Sequence, residues 1–254
     1  MLAAFDMISK ELVYPGASVR LLPGEVVATF APGERLTVIE GTGPGAITGV
    51  VRPPASGRGW IAFFYGNAMT LADTRPIRDQ LSRDGDGVVC VDYPGFGLSG
   101  GQPSEAGCYR AADAALAMIG QAGGRTADTS VVGWSLGSAV AVDLAARSAV
   151  RRLVLASPMS CLAAVGCSLL LRAWAPRLHI GPFNVVRRAP AVLVPTLLIA
   201  GEADTLTPPP LAAALRDRIG GPTQLEVIPG AQHNDLLATP AAWTLIRAFL
   251  HHQG

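Results

Sequence analysis

The pentapeptide Gly133-Trp134-Ser135-Leu136-Gly137 is the feature that most restricts what this chain can fold into. It follows an apolar, strand-like run at 130–132 and precedes a helix of small residues predicted over 138–147. A Gly-x-Ser-x-Gly sequence between a strand and a helix is typical of a sharp turn that exposes one serine hydroxyl. Glycines are needed there because a Cβ would collide with the neighbouring chain, and the helix N-terminus would place free N–H groups beside Ser135. The motif is short, so the rest of the sequence must decide between a reactive site and an ordinary helix start.

Apolar runs that indicate strands alternate with segments of helical spacing along most of the chain. The predicted strands are two within 36–51, around a Gly-rich turn at 41–45, and then 60–65, 87–92, 129–132, 152–156, 196–200 and 224–228. The predicted helices are 70–84, which Pro76 could interrupt near its start, and 104–120, 138–147, 211–219 and 241–252. Continuous apolar strands separated by helices predict an α/β fold with a mainly parallel sheet covered on both faces.

Length and the lack of a linker or repeat favour one α/β domain over residues 1–254. The segment 158–195 is longer than a plain crossover and contains an apolar helical stretch at 161–174. It either forms a short cap over the site or packs a longer helix on the core. As a cap, its apolar face would make a small, dry pocket that prefers acyl groups of short to medium length.

Composition excludes several classes of function. Of the 254 residues, 50% are hydrophobic and 15% charged, and the net charge is +1. The chain has no run of basic residues and no stretch in which basic and aromatic residues alternate, so nucleic acid is not an expected partner. We find no signal peptide, and the longest apolar segments are too short or too interrupted to span a bilayer. Cys90, Cys108, Cys161 and Cys167 form no CxxC pair, so we expect reduced packing residues in a cytoplasmic protein.

A serine hydroxyl needs a base to accept its proton, and the base is usually a histidine oriented by a carboxylate. Of the four histidines, only His233 lies directly after a predicted strand and before the last helix, as the order Ser, Asp, His requires. The preceding strand end offers two carboxylates. We predict Asp204 as the acid because the loop that follows it could fix its position, with Glu202 as the alternative; Asp235 is too near His233 in sequence.

An acyl-transfer site also needs N–H donors where the carbonyl oxygen becomes negative. Leu136, the residue after the serine, supplies one backbone N–H. The second is expected from the turn after the strand at 60–64, where Gly66 lets the backbone approach a ligand. We assign this donor to Asn67, with Ala68 as the alternative.

Five short motifs in this order resemble the serine hydrolases of the α/β-hydrolase superfamily, most closely the Bem46-like and ABHD17/ABHD13-like branch. The resemblance covers the chain from about Leu36 to the C-terminus. The motifs are Phe64-Tyr65-Gly66-Asn67-Ala68, the turn Asp92-Tyr93-Pro94-Gly95-Phe96-Gly97-Leu98-Ser99-Gly100, the pentapeptide around Ser135, Gly201-Glu202-Ala203-Asp204, and Gly230-Ala231-Gln232-His233-Asn234-Asp235. The resemblance implies a Ser–Asp–His triad on Ser135, Asp204 and His233, and no cofactor.

The chain departs from that family at Tyr65, which stands where the family carries a histidine that supports the oxyanion loop. The N-terminal cysteine cluster of the membrane-anchored, protein-depalmitoylating relatives is also absent from the sequence. The turn 92–100 lacks the glycine spacing of a phosphate-binding loop. We therefore expect it to be structural, with Asp92 bracing the neighbouring backbone.

The sequence predicts an enzyme that cleaves carboxylic esters or thioesters of a small-molecule or acyl substrate. Peptidase, amidase and acyltransferase chemistry could use the same residues, because a fold does not fix a function. A non-catalytic binding protein on the same scaffold is the alternative from another class. No metal is expected, because the chain lacks a cluster of ligands with metal-binding spacing.

Overall fold

The computed structural model describes residues 14–40, 45–160 and 183–252. The chain forms two compact units, Met1–Gly124 and Arg125–Gly254. Whether the chain is a single domain, as the sequence predicts, stays a prediction. The described part of the predicted cap comprises 158–160 and 183–195, and its apolar stretch 161–174 lies outside the described residues.

In the described part of the first unit, four strands lie in the order β1-β2-β4-β3. Its described strands are β1 (Arg35–Ile39), β2 (Ile47–Arg52), β3 (Trp60–Phe64) and β4 (Gly87–Val91). Its described α-helices are α1 (Pro23–Val27), α2 (Arg75–Leu81) and α3 (Glu105–Gln121), with 3-10 turns at Pro15–Ser18 and Leu71–Thr74. β2 pairs antiparallel with both β1 and β4, whereas β3 and β4 are parallel.

Among the residues of the second unit that the structure describes, four parallel strands lie in the order β5-β6-β7-β8. Its described strands are β5 (Thr129–Trp134), β6 (Arg152–Ala156), β7 (Thr196–Gly201) and β8 (Thr223–Ile228). Its described α-helices are α4 (Leu136–Arg147), α5 (Val185–Arg188), α6 (Pro209–Arg216) and α7 (Pro240–His251). Further 3-10 turns lie at Thr126–Asp128, Ala189–Ala191 and Leu236–Ala238. Helix α4 packs on β5 and β6, and α6 packs on β7 and β8.

Burial along the strands shows that the strands of each unit are covered on both faces. Every residue of β3, β4 and β7 is buried. Successive side chains of a strand point to opposite faces, so continuous burial requires cover on both sides. β8 alternates between half-buried and exposed residues over most of its length, as expected of a strand at the end of the strand order.

Prolines explain where two of the helices begin, at positions that differ from the prediction. The segment predicted as one helix over 70–84 is a 3-10 turn followed by α2, which has Pro76 in its first turn. The helix predicted at 211–219 starts earlier, with Pro209 and Pro210 in its first turn. Proline lacks an N–H group, so it fits the first turn of a helix, where that group has no partner within the helix.

The turn after β4 is braced by Asp92, which confirms the structural role predicted for it. Asp92 Oδ1 accepts hydrogen bonds from the hydroxyl of Tyr65 at 2.6 Å and the N–H of Leu71 at 2.9 Å. Asp92 Oδ2 accepts from the N–H of Leu98 at 2.8 Å. Tyr65 is therefore tied to a buried carboxylate, and its own carbonyl accepts from the Tyr93 hydroxyl at 2.9 Å.

Cys90 and Cys108 are free thiols, and both are buried. Burial raises the pKa of Cys90 to about 12 and also raises the pKa of Cys108. These two cysteines are packing residues, as predicted; Cys161 and Cys167 lie outside the described residues. Within the described ranges, no helix is long and apolar enough to cross a membrane.

Candidate active site

Ser135 lies at the junction of β5 and α4, in a backbone conformation that is unusual for a residue with a side chain. Its φ is 53° and its ψ is −116°. Its N–H donates to the carbonyl of Ala156 at the end of β6, and its carbonyl accepts from Ser138 N–H and Oγ–H. Non-glycine residues at positive φ cost about 1–3 kcal/mol and persist only where the surroundings enforce them. These hydrogen bonds hold the strained turn in place.

The glycine before this turn is required by close packing. A Cβ on Gly133 would lie 2.4 Å from the carbonyl oxygen of Gly137 and 2.7 Å from the Cβ of Ala141. Any side chain would push α4 away from β5. The first glycine of the pentapeptide therefore lets the helix start close enough to the strand to present Ser135.

His233 lies in the loop between β8 and α7 and reaches the serine. Its Nε2 is 2.9 Å from Ser135 Oγ, and its Nδ1 is 2.8 Å from Asp204 Oδ2. The residue is only 9% exposed, so its ring is held largely away from water. With the proton on Nδ1, Nε2 can accept the Ser135 proton while Nδ1–H donates to Asp204. The structure thus brings together the three residues predicted from separate strand ends.

The loops that carry Asp204 and His233 are tied to each other at the ends of β7 and β8. The N–H of Ala203 donates to the carbonyl of Ala231 at 2.9 Å, and the N–H of Glu202 donates to the carbonyl of Ile228 at 3.0 Å. These bonds continue the ladder between the two strands. The separation of the acid and the base is therefore set by the sheet.

The carboxylate of Asp204 accepts four hydrogen bonds. Oδ1 accepts from the backbone N–H groups of Leu206 at 2.9 Å and Thr207 at 2.7 Å. Oδ2 lies 2.8 Å from His233 Nδ1 and 2.9 Å from Thr207 Oγ1. A carboxylate offers about four acceptor positions, so these four hydrogen bonds occupy all of them and fix the plane of the group.

The charge of Asp204 is favoured by the same contacts. Burial by itself would raise the pKa of Asp204, but the hydrogen bonds from His233 and Thr207 outweigh it and lower the pKa below its usual value. Asp204 is therefore a charged acceptor that can stabilise a cationic His233.

Glu202, the alternative acid, serves a different part of the structure. Its Oε2 accepts the N–H of Gly230 at 2.9 Å, at the start of the His233 loop. Asp235 accepts the N–H of Gln232 at 2.6 Å. Both carboxylates shape the loop, whereas Asp204 contacts the imidazole.

The two predicted oxyanion donors lie in different units. Leu136 is the first residue of α4, and an N–H at that position has no acceptor within its own helix. Asn67 follows β3 in the first unit, and its carbonyl accepts the N–H of Gly16 at 3.0 Å. That Asn67 or Ala68 acts with Leu136 stays a prediction.

Sequence reasoning missed two neighbours of His233. Thr207 contacts both the acid and the base. The sequence feature that indicated this contact was a hydroxyl residue three positions after Asp204, in a loop that ends at a proline. The indole ring of Trp134 has its centroid 6.4 Å from that of the imidazole, with a tilt of 30° between the rings. Its position next to Ser135 in sequence was the only signal for that contact.

A separate cleft of about 430 Å³ lies at the other ends of the strands in the second unit. Its lining includes Arg152, Thr196, Thr223 and Phe249, and none of Ser135, Asp204 or His233. Across the described ranges, no group of three or more His, Cys, Asp or Glu side chains could hold a metal ion.

Two curated relatives are similar to this chain in sequence. An uncharacterized protein of Mycobacterium tuberculosis is 36% identical over 192 residues, covering 73% of this chain and 67% of that protein. Human alpha/beta hydrolase domain-containing protein 17B is 29% identical over 178 residues, covering 69% of this chain and 60% of that protein. The chain thus spans less than two thirds of the human relative, and the resemblance to this branch is confirmed.

Solved structures show the same fold. An alpha-beta hydrolase from Vibrio vulnificus aligns with a TM-score of 0.77 at 21% identity, covering 95% of this chain and 92% of that one. An esterase from Pyrococcus furiosus aligns with a TM-score of 0.71 at 18% identity, covering 91% and 93%. A family model described as the alpha/beta hydrolase fold matches residues 59–188. This chain belongs to the α/β-hydrolase fold family.

Proposed function

We propose that this protein is a serine hydrolase that cleaves carboxylic esters or thioesters through an acyl-enzyme on Ser135. One observation carries the proposal: the continuous hydrogen-bonded path from Ser135 Oγ through both nitrogens of His233 to Asp204, with distances of 2.9 and 2.8 Å. A nucleophile, a base and a group that orients the base are the parts that acyl transfer requires.

The geometry supports the following steps. His233 Nε2 takes the Ser135 proton as Oγ attacks the carbonyl carbon, and Asp204 stabilises the resulting imidazolium. The oxyanion then lies near the N–H of Leu136, with Asn67 as the second donor expected from the sequence. His233 gives the proton to the leaving group, and the acyl group stays on Oγ. Water loses a proton to His233 and attacks the acyl carbon. The bond between that carbon and Ser135 Oγ then breaks, His233 returns the proton to Oγ, and the acid leaves.

A fluorophosphonate probe tests the proposal, because such probes react covalently with activated serines. We expect one label on the wild-type protein and none on Ser135→Ala. Ser148→Ala, at the other end of α4, is the matched control and should label like the wild type. Labelled protein should also lose its Ser135-dependent release of p-nitrophenol from p-nitrophenyl acetate.

A panel of p-nitrophenyl esters, thioesters and anilides of graded chain length then separates the chemical classes. Turnover of esters or thioesters with little anilide cleavage is expected. Folded wild-type protein that neither labels nor turns over any of these substrates would instead indicate a binding protein. Anilide cleavage faster than ester cleavage would indicate an amidase.

A further inference from the structure

The hydroxyl of Thr207 lies at the centre of the hydrogen-bonded group around Asp204. Thr207 Oγ1 is 2.9 Å from Asp204 Oδ2, 3.1 Å from His233 Nδ1 and 3.2 Å from the carbonyl oxygen of Ser157. Thr207 is completely buried. Because the hydroxyl is buried and has three polar neighbours, the direction of its O–H bond is restricted by the hydrogen bonds that it can make.

A hydroxyl has one proton, so Thr207 can donate to Asp204 or to Ser157 but not to both at once. The carboxylate is the better acceptor because it is charged and 0.3 Å closer, and hydrogen bonds to charged groups are stronger than those to neutral carbonyls. Asp204 Oδ2 then accepts two protons, one from Thr207 Oγ1 and one from His233 Nδ1. The two donors share one oxygen.

The backbone around Thr207 keeps its hydroxyl in this position. Its own N–H donates to Asp204 Oδ1, so the side chain and the backbone of one residue bind both carboxylate oxygens. On the far side, Ser157 has a φ of 43°, unusual for a residue with a side chain, and its carbonyl lies against the hydroxyl. The N–H of Ser157 donates to the carbonyl of Ile199 in β7, which holds this turn against the sheet.

We propose that Thr207 is a positioning residue whose hydroxyl donates to Asp204 Oδ2, fixes the plane of the carboxylate, and limits how strongly that oxygen holds the His233 Nδ1–H. The inference rests on the proposed function, because it assigns a role within the same site. Thr207 does not contact the reacting atoms; it acts through Asp204 and His233.

Removal of the hydroxyl has two consequences. The carboxylate loses one of the contacts that fix its plane, so His233 is held less firmly in the orientation that faces Ser135. Oδ2 also loses a competing donor, so it holds the Nδ1 proton more strongly and favours the cationic imidazole. A cationic imidazole cannot accept the serine proton. The acid limb of the kcat/KM profile should therefore move to higher pH.

Thr207→Val tests this directly, because valine keeps the branched shape and lacks the hydroxyl. We expect kcat for p-nitrophenyl acetate to fall about tenfold, the size expected from one hydrogen bond to a charged group, while KM stays unchanged. Thr207→Ser restores the hydroxyl and should recover most of kcat and the wild-type pH profile. Thr205→Val, the same change at an exposed position in the same loop, is the matched control.

The imidazole Nδ1–H proton supplies a readout that does not require activity. Its downfield ¹H NMR signal, assigned by its loss in His233→Ala, should move further downfield in Thr207→Val and stay in place in Thr207→Ser and Thr205→Val. An unchanged signal in folded Thr207→Val would overturn the proposal, as would a serine variant as impaired as the valine variant. Absence of Ser135-dependent turnover in the wild type would refute the proposed function, and the NMR comparison would still decide the role of Thr207.

Discussion

Two buried aspartates, one in each unit, both accept several hydrogen bonds, and yet their pKa values are shifted in opposite directions from the ordinary value. Asp92 is fully buried, and Asp204 is 2% exposed. Burial raises the pKa of Asp92 to about 6, although bonds from Leu98, Tyr65 and Leu71 partly oppose it. At Asp204 the bonds from His233 and Thr207 outweigh burial and lower the pKa.

The two carboxyl groups differ in their donors and in the charges around them, because the negative charge of Asp73 further raises the pKa of Asp92. Asp92 accepts three bonds from neutral groups, two backbone N–H groups and a tyrosine hydroxyl. Asp204 accepts four, and one comes from an imidazole that can carry a positive charge. Neutral donors hold the loops around Asp92 without lowering the pKa of its carboxyl group below the usual value. At Asp204 a fourth hydrogen bond and a partner that can become positively charged keep the carboxylate ionised, as the proposed mechanism requires.

Among the changes that test this comparison of Asp92 with Asp204, the largest expected effect separates Asp204 from the other carboxylate of its loop. Asp204→Asn should lower kcat by about a hundredfold or more relative to Glu202→Gln, because the amide can stabilise the wrong tautomer of His233. Steady-state turnover of p-nitrophenyl acetate measures both variants. Glu202→Gln should lose little, since Glu202 contacts the loop backbone at Gly230. A more damaging Glu202→Gln would show that Glu202 is the acid.

The raised pKa of Asp92 predicts how stability depends on pH. The carboxyl group of Asp92 binds its proton more tightly in the folded protein than in the unfolded chain. The free energy of unfolding therefore falls as the pH rises from the unfolded pKa to the folded pKa. Between about pH 4 and 6.5, the wild type should lose about 2 kcal/mol relative to Asp92→Asn, which does not titrate there. Urea unfolding at the two pH values measures this. Asp204 has the opposite sign, and its contribution is lost only as the pH falls below about 4 through its lowered pKa.

Equal pH dependence in the wild type and in Asp92→Asn would contradict the account of Asp92. It would mean that the three neutral donors fully offset the effect of burial, so that the pKa of Asp92 is the same in the folded and unfolded chain.

The third change concerns the hydroxyl of Tyr65, which contacts Asp92. Tyr65→Phe should lower the unfolding free energy by about 1.5–3 kcal/mol, the range for a buried hydrogen bond to a charged group. Tyr109→Phe is the matched control, because its hydroxyl also donates to a carboxylate, that of Glu105, at 2.6 Å but is less buried. The control should lose less than about 1 kcal/mol. Equal losses in the two variants would show that burial adds nothing to the Tyr65–Asp92 bond.

The sequence was sufficient to predict the alternating fold and the three residues now found in contact. Ser135, Asp204 and His233 each come after the carboxyl end of a strand, and parallel strands end at one edge of their sheet. That the loop after Asp204 holds this carboxylate was predicted, but the contact of Tyr65 with Asp92 and that of Thr207 with Ser157 were not predictable. Tyr65 meets a carboxylate 27 positions away, and Thr207 meets a carbonyl 50 positions away. Such pairings depend on how loops from different strands converge, which local patterns do not encode.

The central claim is that Ser135 and His233 act as one catalytic unit, and a double-mutant cycle on p-nitrophenyl acetate tests it most directly. Ser135→Ala and His233→Ala should each lower kcat/KM by about 10⁴-fold or more while the thermal unfolding temperature stays close to that of the wild type. The double variant should be little worse than either single variant, because removing one member of a cooperating pair already removes its shared contribution. Turnover by Ser135→Ala within about tenfold of the wild type would contradict the account.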